Sequence, residues 1–132
     1  RTAESEYTFF QFGVIGIGAE GKVVDGFDQR NNAPVAIKIM DINSNFLFER
    51  RILTLTKQNQ LSHICQMESS YADTKTGTGM IIMKKYDCDL FSFALERDQP
   101  LSEAEALSLF RNICTGMKNL HDLGIAHLDI KA

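Results

Sequence analysis

The sequence predicts an α+β fold, a five-stranded antiparallel sheet with one helix followed by a helical segment. Before Tyr86 the apolar residues come in short runs separated by Gly, Asn and Asp, a pattern typical of strands and turns. A single stretch with apolar residues at helical spacing interrupts these runs, and after Tyr86 the spacing becomes helical throughout. We therefore divide the chain into a sheet segment, 1–86, and a helical segment, 87–132.

Five apolar runs form the predicted strands, and turn-rich segments separate them. Residues 28–32 lie between the second and third runs, and residues 73–77 lie between the fourth and fifth. Short links of this kind suit antiparallel neighbours, so we predict a meander in which each strand pairs with the next. The runs are Phe9–Ile17, Lys22–Phe27, Pro34–Met40, Ile64–Tyr71 and Met80–Met83.

The helix within the sheet segment is predicted from a cap and an apolar stripe. Asn43 or Ser44 can cap its N-terminus, because a side-chain oxygen at that position accepts a hydrogen bond from a free backbone N–H. The apolar residues that follow have the spacing of one buried helix face. They are Phe46, Leu47, Ile52, Leu53 and Leu55.

Two further helices are predicted after Tyr86. A short helix covers Asp89–Leu95, and a longer one opens at Ser102, which forms a capping-box pattern with Glu105. Gly124 is placed to end the longer helix. Its apolar residues share one face: Leu107, Phe110, Ile113, Cys114, Met117 and Leu120.

Composition and charge argue against several classes of function. The 132 residues carry 14 Lys and Arg against 17 Asp and Glu, and nucleic-acid binding is disfavoured because it relies on many basic side chains. No apolar run approaches the roughly 20 residues that cross a bilayer, and Arg1–Glu6 lacks the apolar core of a signal peptide. Cys65, Cys88 and Cys114 form no CxxC pair, which argues against a disulfide framework or a zinc site. We expect a soluble cytoplasmic protein with no nucleic-acid or membrane partner.

A glycine-rich segment joins the first two predicted strands and matches GxGxxGxV from Gly16 to Val23. Glycines allow backbone N–H groups to approach phosphate oxygens closely. A glycine-rich hairpin that binds no ligand fits the pattern equally well. A dinucleotide-binding Rossmann motif fits less well, because Lys22 and Val24 continue as a strand where that motif requires a helix.

Charged residues at three places have candidate chemical roles. Lys38 lies in the apolar strand segment VAIK, where its ammonium needs a phosphate or a carboxylate, and Glu49 on the next helix can supply the carboxylate. A solvent-facing lysine on an edge strand is the alternative. Near the end of the sequence, Asp129 can orient a hydroxyl and accept its proton, and Lys131 can neutralise a transferring phosphoryl group. An exposed charged tail is the alternative for this pair.

The glycine-rich segment, the VAIK strand with Glu49 and the segment around Asp129 follow one another along the chain. In their order and in the elements that carry them, they resemble the motifs of the eukaryotic protein kinase family, and the resemblance runs from about Phe9 to Ala132. The resemblance implies a protein-kinase-like fold, with the N-lobe at 1–86 and the start of the C-lobe, including helices D and E, at 87–132. It implies ATP and Mg²⁺ as cofactors, with metal ligands outside this chain, and a protein substrate. Lys131 resembles the serine/threonine form of the family, so the implied reaction transfers the ATP γ-phosphate to Ser or Thr hydroxyls.

The resemblance also implies a role for each charged motif residue. Lys38 would hold the α- and β-phosphates and pair with Glu49. Asp129 would be the catalytic base on the substrate hydroxyl, and Lys131 would act beside it.

The nucleotide contacts implied by the resemblance surround the adenine, the ribose and the phosphates. Val23 and Ala36 would sandwich the adenine ring, the backbones of Lys84 and Tyr86 would hydrogen-bond it, and Asp89 would lie near the ribose. Met83 would be the gatekeeper. The remaining implied contacts are Ile15 and the glycines that would cover the phosphates, Gly16, Gly18 and Gly21.

The sequence departs from the family pattern at several points, which include the following three. Leu128 replaces the arginine that usually precedes the catalytic Asp, which suggests control by something other than an ion pair with a phosphorylated loop. Glu20 lies at the tip of the glycine-rich loop, where an aromatic or small residue is commoner. The motif series stops at Ala132, before the catalytic-loop Asn and the DFG aspartate.

From this last departure we expect a fragment of a longer kinase, inactive by itself, whose helix E is covered by the rest of the C-lobe or by a partner. A pseudokinase or scaffolding module without phosphotransfer is the alternative. A nucleotide-binding fold outside the kinase family does not explain the segment around Asp129.

Overall fold

Five strands and three helices make up the described part of the chain, residues 9–127 and 130 of a computed structural model. The elements are β1 (Phe9–Gly18), β2 (Gly21–Asp28), β3 (Ala33–Asp41), α1 (Ser44–Gln58), β4 (Met67–Asp73), β5 (Thr78–Lys84), α2 (Leu90–Leu95) and α3 (Glu103–Asp122). They divide into two units. The first unit contains the five strands and α1, and the second contains the segment 59–64 with α2 and α3.

All five strands form one antiparallel sheet in the order β1-β2-β3-β5-β4. The predicted five-stranded antiparallel sheet is confirmed, but the simple meander is wrong, since β3 pairs with β5 and not with β4. The physical reason is burial. Ile81 and Ile82 are adjacent in β5 and both fully buried, so this strand is covered on both faces and takes a central position. The sequence of β4, MESSYAD, is more polar and suits an edge.

Two apolar clusters cover the two faces of the sheet. Val24, Val35, Ile37 and Ile82 form one of them. The other consists of Met40, Met67 and Ile81 together with Phe46 from α1. Side chains alternate along a strand, so each cluster draws on alternate positions of the same strands. The helix therefore covers one sheet face only.

Phe46 holds α1 against the sheet. Its side chain is 0% exposed, and a Cβ atom on Gly79 of β5 would collide with its ring. Asn43 Oδ1 accepts a hydrogen bond from Phe46 N at 3.0 Å, which confirms the predicted cap. The predicted stripe is wrong at Leu47, which is exposed because adjacent helical residues point about 100° apart. The three later members of the stripe are half-buried.

Both helices of the second unit begin at capped ends. Asp89 Oδ1 accepts a hydrogen bond from Ser92 N at 2.7 Å, and the predicted capping box is present, with Ser102 and Glu105 each bonding the other's backbone N–H. Arg97 adds an ion pair to Glu105 at 2.8 Å. Two hydrogen bonds hold the pKa of the Glu105 carboxyl below its ordinary value. The bond from Ser102 N–H has the larger effect, and the bond from Arg97 has the next largest.

The segment 59–64 packs on α3 through polar contacts. Gly116 is buried, and a Cβ atom there would lie 2.5 Å from the His63 carbonyl oxygen, so only glycine allows this approach. Asn119 Nδ2 donates to the Ser62 carbonyl at 3.0 Å. Gly124 ends the helix as predicted, with a φ of +75°.

The predicted apolar face of α3 is buried only toward its C-terminal end. Leu120 is buried and Met117 is half-buried, whereas Leu107, Phe110 and Ile113 are exposed. Within the described residues, neither α3 nor any other helix combines the length and apolar character needed to span a membrane.

Candidate functional site

An ion pair between β3 and α1 lies at the centre of the candidate site. Lys38 Nζ donates hydrogen bonds to Oε1 and Oε2 of Glu49 at 3.0 and 2.8 Å. The two side chains are 22% and 28% exposed, so each charge is partly shielded from water and is stabilised by the other. Glu49 follows Phe46 by three residues, one turn along α1, so the buried ring fixes the position of the carboxylate.

The β1–β2 hairpin contains glycines of two different kinds. Gly18 pairs with Gly21 at the end of the hairpin. Gly21 is required by the fold, because its φ is +152° and a Cβ atom there would collide with the Ile39 carbonyl. A Cβ atom on Gly16 would meet nothing within 4 Å, and one on Gly18 would have its nearest neighbour at 3.9 Å. The fold itself does not require glycine at these two positions.

A pair of substitutions tests this distinction. Gly21→Ala should destabilise the protein by about 1–3 kcal/mol, because the backbone conformation and the Ile39 carbonyl both oppose a side chain. Gly18→Ala should change stability by less than about 0.5 kcal/mol. Chemical denaturation of both variants measures the difference. Equal losses of stability would show that the two glycines serve the same packing role.

A cavity of about 340 Å³ is lined by the glycine-rich turn, 16–21, together with Val23 and Lys38. Val23 and Lys38 pair directly across β2 and β3, which places an apolar side chain beside the ammonium group. The volume lies in the range of small-molecule sites. A lysine ammonium beside a glycine-rich backbone suits an anionic ligand such as a phosphate.

A second carboxylate lies near the same ammonium group. Glu20 Oε2 is 3.9 Å from Lys38 Nζ, and the Glu20 side chain is 49% exposed. The sequence places this acidic residue at the loop tip but gives no sign of its contact with Lys38. The contact depends on where the hairpin tip lies relative to β3, and no local sequence signal gives that position.

Comparison with known proteins decides the family. The model of the family described as "Protein kinase domain" matches residues 9–132. The chain belongs to the protein kinase family. The predicted fold, an N-lobe-like sheet with one helix followed by helices, is confirmed by this match together with the strand order.

Several curated kinases are similar to this chain. MAP kinase-activated protein kinase 2 of Mus musculus is 30% identical over 122 residues, covering 89% of this chain and 31% of the relative. Myosin light chain kinase 2, skeletal/cardiac muscle, of Mus musculus is 26% identical over 129 residues, which are 96% of this chain and 21% of the relative. A Wee1-like protein kinase of Oryza sativa subsp. japonica is 50% identical over 38 residues, 29% of this chain and 7% of the relative. The chain thus spans less than a third of the length of these three kinases.

Several other residues proposed for nucleotide contact in this kinase chain lie in the first unit. Ala36 and Met83 pair across β3 and β5, and Ala36 lies two residues from Lys38 on the same sheet face. Lys84 N donates to the Gln66 carbonyl at 3.0 Å, so the Lys84 backbone would contact adenine by accepting a hydrogen bond at its carbonyl oxygen.

Ile15 lies at a break in the strand pairing. The β1–β2 register shifts between Val14 and Gly16, so Ile15 is the extra residue of a β-bulge, and its side chain is 54% exposed. A bulge beside the glycine-rich turn bends the strand and so changes the direction of the chain as it enters that turn. The side chain is therefore available to a ligand rather than committed to the core.

The remaining predicted contacts of the kinase site fall in the second unit or outside the described residues. Tyr86 is 49% exposed, and Asp89 caps α2, where the Ser92 hydrogen bonds keep the pKa of its carboxyl below the ordinary value. Asp129 and Lys131 lie outside the described residues. Within residues 9–127 and 130, no group of three or more His, Cys, Asp or Glu side chains is arranged to hold a metal ion.

Proposed function

We propose that this kinase-family chain is the ATP-binding part of a serine/threonine protein kinase. The observation that carries the proposal is the Lys38–Glu49 ion pair at a cavity lined by the glycine-rich turn. In this proposal 1–86 is the N-lobe and 87–132 is the start of the C-lobe. ATP and a protein substrate are the partners, and the location is cytoplasmic.

Lys38 binds and orients the phosphates in this proposal. Its ammonium donates to phosphate oxygens, and Glu49 keeps it directed into the cavity by accepting two of its hydrogen bonds. Gly16 and Gly18 leave room beside the backbone that the fold does not use, which suits the close approach of phosphate oxygens to N–H groups. The neutralisation of phosphate charge that Mg²⁺ would supply adds to that provided by the Lys38 ammonium.

The adenine ring is proposed to lie on the sheet face that carries α1. Val23 and Ala36 supply apolar contact with the ring, and Ile15 covers it from β1. Met83 limits how deeply the ring can enter the site. The Lys84 carbonyl and the Tyr86 backbone supply the polar contacts, and Asp89 lies near the ribose. The support is the register, because Val23 is opposite Lys38 and Ala36 is opposite Met83.

Asp129 is the proposed catalytic base. Its carboxylate accepts the proton of the substrate hydroxyl, and Lys131 neutralises the charge that develops on the transferred phosphoryl group. Lys131 also supports Ser and Thr as substrates, because the family's serine/threonine form carries lysine there. The exposed apolar residues of α3 support the proposal that the rest of a C-lobe or a partner covers this helix.

A pseudokinase or scaffolding module is the second candidate. Leu128 favours it, since this position holds leucine in place of the arginine that links many active kinases to a phosphorylated loop. Lys38, Glu49 and Asp129 favour the catalytic alternative, because a protein that signals by shape alone does not need them.

Transfer of labelled phosphate separates the two candidates. We expect the complete protein that contains this chain to label Ser or Thr in a mixed protein substrate, and Asp129→Asn to reduce the rate by about 10²-fold or more. Asp122→Asn is the matched control, because this carboxylate lies on the exposed face of α3 in an ion pair with Lys118. Nucleotide binding without transfer would favour the pseudokinase, and labelling confined to Tyr would contradict the serine/threonine assignment.

A further inference from the structure

Two carboxylates share the ammonium group of Lys38. Glu49 makes two hydrogen bonds to it, whereas Glu20 approaches to 3.9 Å, within ion-pair distance but beyond hydrogen-bond range. The cluster therefore carries one positive and two negative charges. Within the described residues, Lys38 forms ion pairs with these two carboxylates.

The two carboxylates differ in how firmly they are held. Glu49 extends from α1, which is fixed by the fully buried Phe46, and is 28% exposed. Glu20 lies at the tip of a hairpin, is 49% exposed and has no hydrogen bond to Lys38. Ion pairs that are this open to solvent contribute little stability, so Glu20 can leave at low cost.

Glu20 also lines the cavity that faces Lys38. A phosphate oxygen bonded to Lys38 would lie about 2.8 Å from the nitrogen that the Glu20 carboxylate already approaches. Two anions around one ammonium repel each other, and at the edge of a protein this repulsion is only partly screened by water. Glu20 therefore opposes an anionic ligand and has no such effect on a neutral one.

We infer that Glu20 is a built-in competitor of the nucleotide phosphates for Lys38, and that it sets how strongly this site favours nucleotides over the uncharged nucleoside. The inference rests on the proposed function, since it assigns a specificity role within the same ATP site. Glu20 lies within ion-pair distance of the Lys38 ammonium when no nucleotide is bound and turns toward solvent when phosphates arrive.

Removal of the Glu20 charge tests the inference. Glu20→Gln should lower the Kd for ADP by about three- to tenfold and leave the Kd for adenosine unchanged, as measured by titration calorimetry on the complete protein. Glu20→Ala should act in the same direction, which separates loss of the charge from any hydrogen bond made by the new amide. The gain should shrink at high salt, because screening weakens the repulsion that the variant removes.

Glu68→Gln is the matched control. It removes one carboxylate from the same unit, but Glu68 lies on β4, at the opposite edge of the sheet from the glycine-rich hairpin. ADP affinity should not change in this variant. A similar gain in Glu68→Gln would show that overall charge, rather than the contact with Lys38, controls binding, and would overturn the inference.

Two further outcomes separate the inference from the proposed function. ADP binding that is unchanged or weakened in both Glu20 variants overturns the inference and leaves the ATP site standing. Failure of ADP and adenosine to bind the parent protein and every variant overturns the proposed function, and the inference with it.

Discussion

Lys38→Met is expected to reduce phosphoryl transfer by the complete protein by about 10²- to 10³-fold or more while the fold is retained. The substitution removes the ammonium group that faces the glycine-lined cavity and keeps a side chain of similar length on β3. Glu49 loses its partner, but at 28% exposed its carboxylate is still reached by water, so the cost in stability is small. The kcat of phosphate transfer and the denaturation midpoint measure the two effects separately.

Lys118→Met is the control for this prediction. Lys118 forms an ion pair with Asp122 at 2.7 Å, a distance close to that of the Lys38 pair, but it lies on the exposed side of α3. Its loss should leave both activity and stability nearly unchanged. If Lys38→Met kept more than about a tenth of the parent activity, Lys38 would not be the phosphate ligand, and the proposed site would be wrong.

Local signals in the sequence predicted the helix ends and the central ion pair. Asn43 caps α1, and Ser102 and Glu105 cap α3, because capping depends on side chains within one turn of the helix end. The contact between Lys38 and Glu49 could be anticipated because a charge within an apolar strand favours a nearby partner of opposite sign. These features are decided over short stretches of chain or by an electrostatic preference.

Features that depend on distant packing were not predicted. The position of β4 at the edge follows from the double-sided burial of Ile81 and Ile82, which becomes visible only once the whole sheet is assembled. Leu47 is next to Phe46 in the sequence and is predicted to belong to the same buried stripe. The helix nevertheless turns its side chain away from the sheet, and Leu47 is exposed. The approach of Glu20 to Lys38 depends on where the tip of the hairpin lies relative to β3. In each case, the three-dimensional arrangement decides between alternatives that the local sequence allows equally.

The largest effect on stability is expected from Phe46→Ala. The ring is fully buried among Met40, Met67 and Ile81, and Arg50 lies 5.2 Å from its centre. Removing a buried phenyl ring costs about 3–5 kcal/mol, since the cavity left behind cannot close completely. Protein domains are typically stable by only about 5–15 kcal/mol, so the variant should be largely or partly unfolded under mild denaturing conditions.

The same substitution should also weaken the site, because Phe46 is what positions Glu49. With the ring gone, α1 loses its main contact with the sheet, and the two hydrogen bonds from Lys38 to Glu49 lose their fixed geometry. Phosphoryl transfer should therefore fall by more than the unfolded fraction accounts for. Measuring activity at a temperature where the folded fraction is known separates these two contributions.

Phe48→Ala is the matched control, because it removes the same ring from the same helix two residues further on. Phe48 is 66% exposed, so its loss should cost less than about 0.5 kcal/mol and leave transfer intact. Chemical denaturation of the two variants gives the comparison directly. Equal destabilisation would mean that α1 is not held to the sheet by Phe46, and the link between this buried ring and the Lys38–Glu49 pair would have to be abandoned.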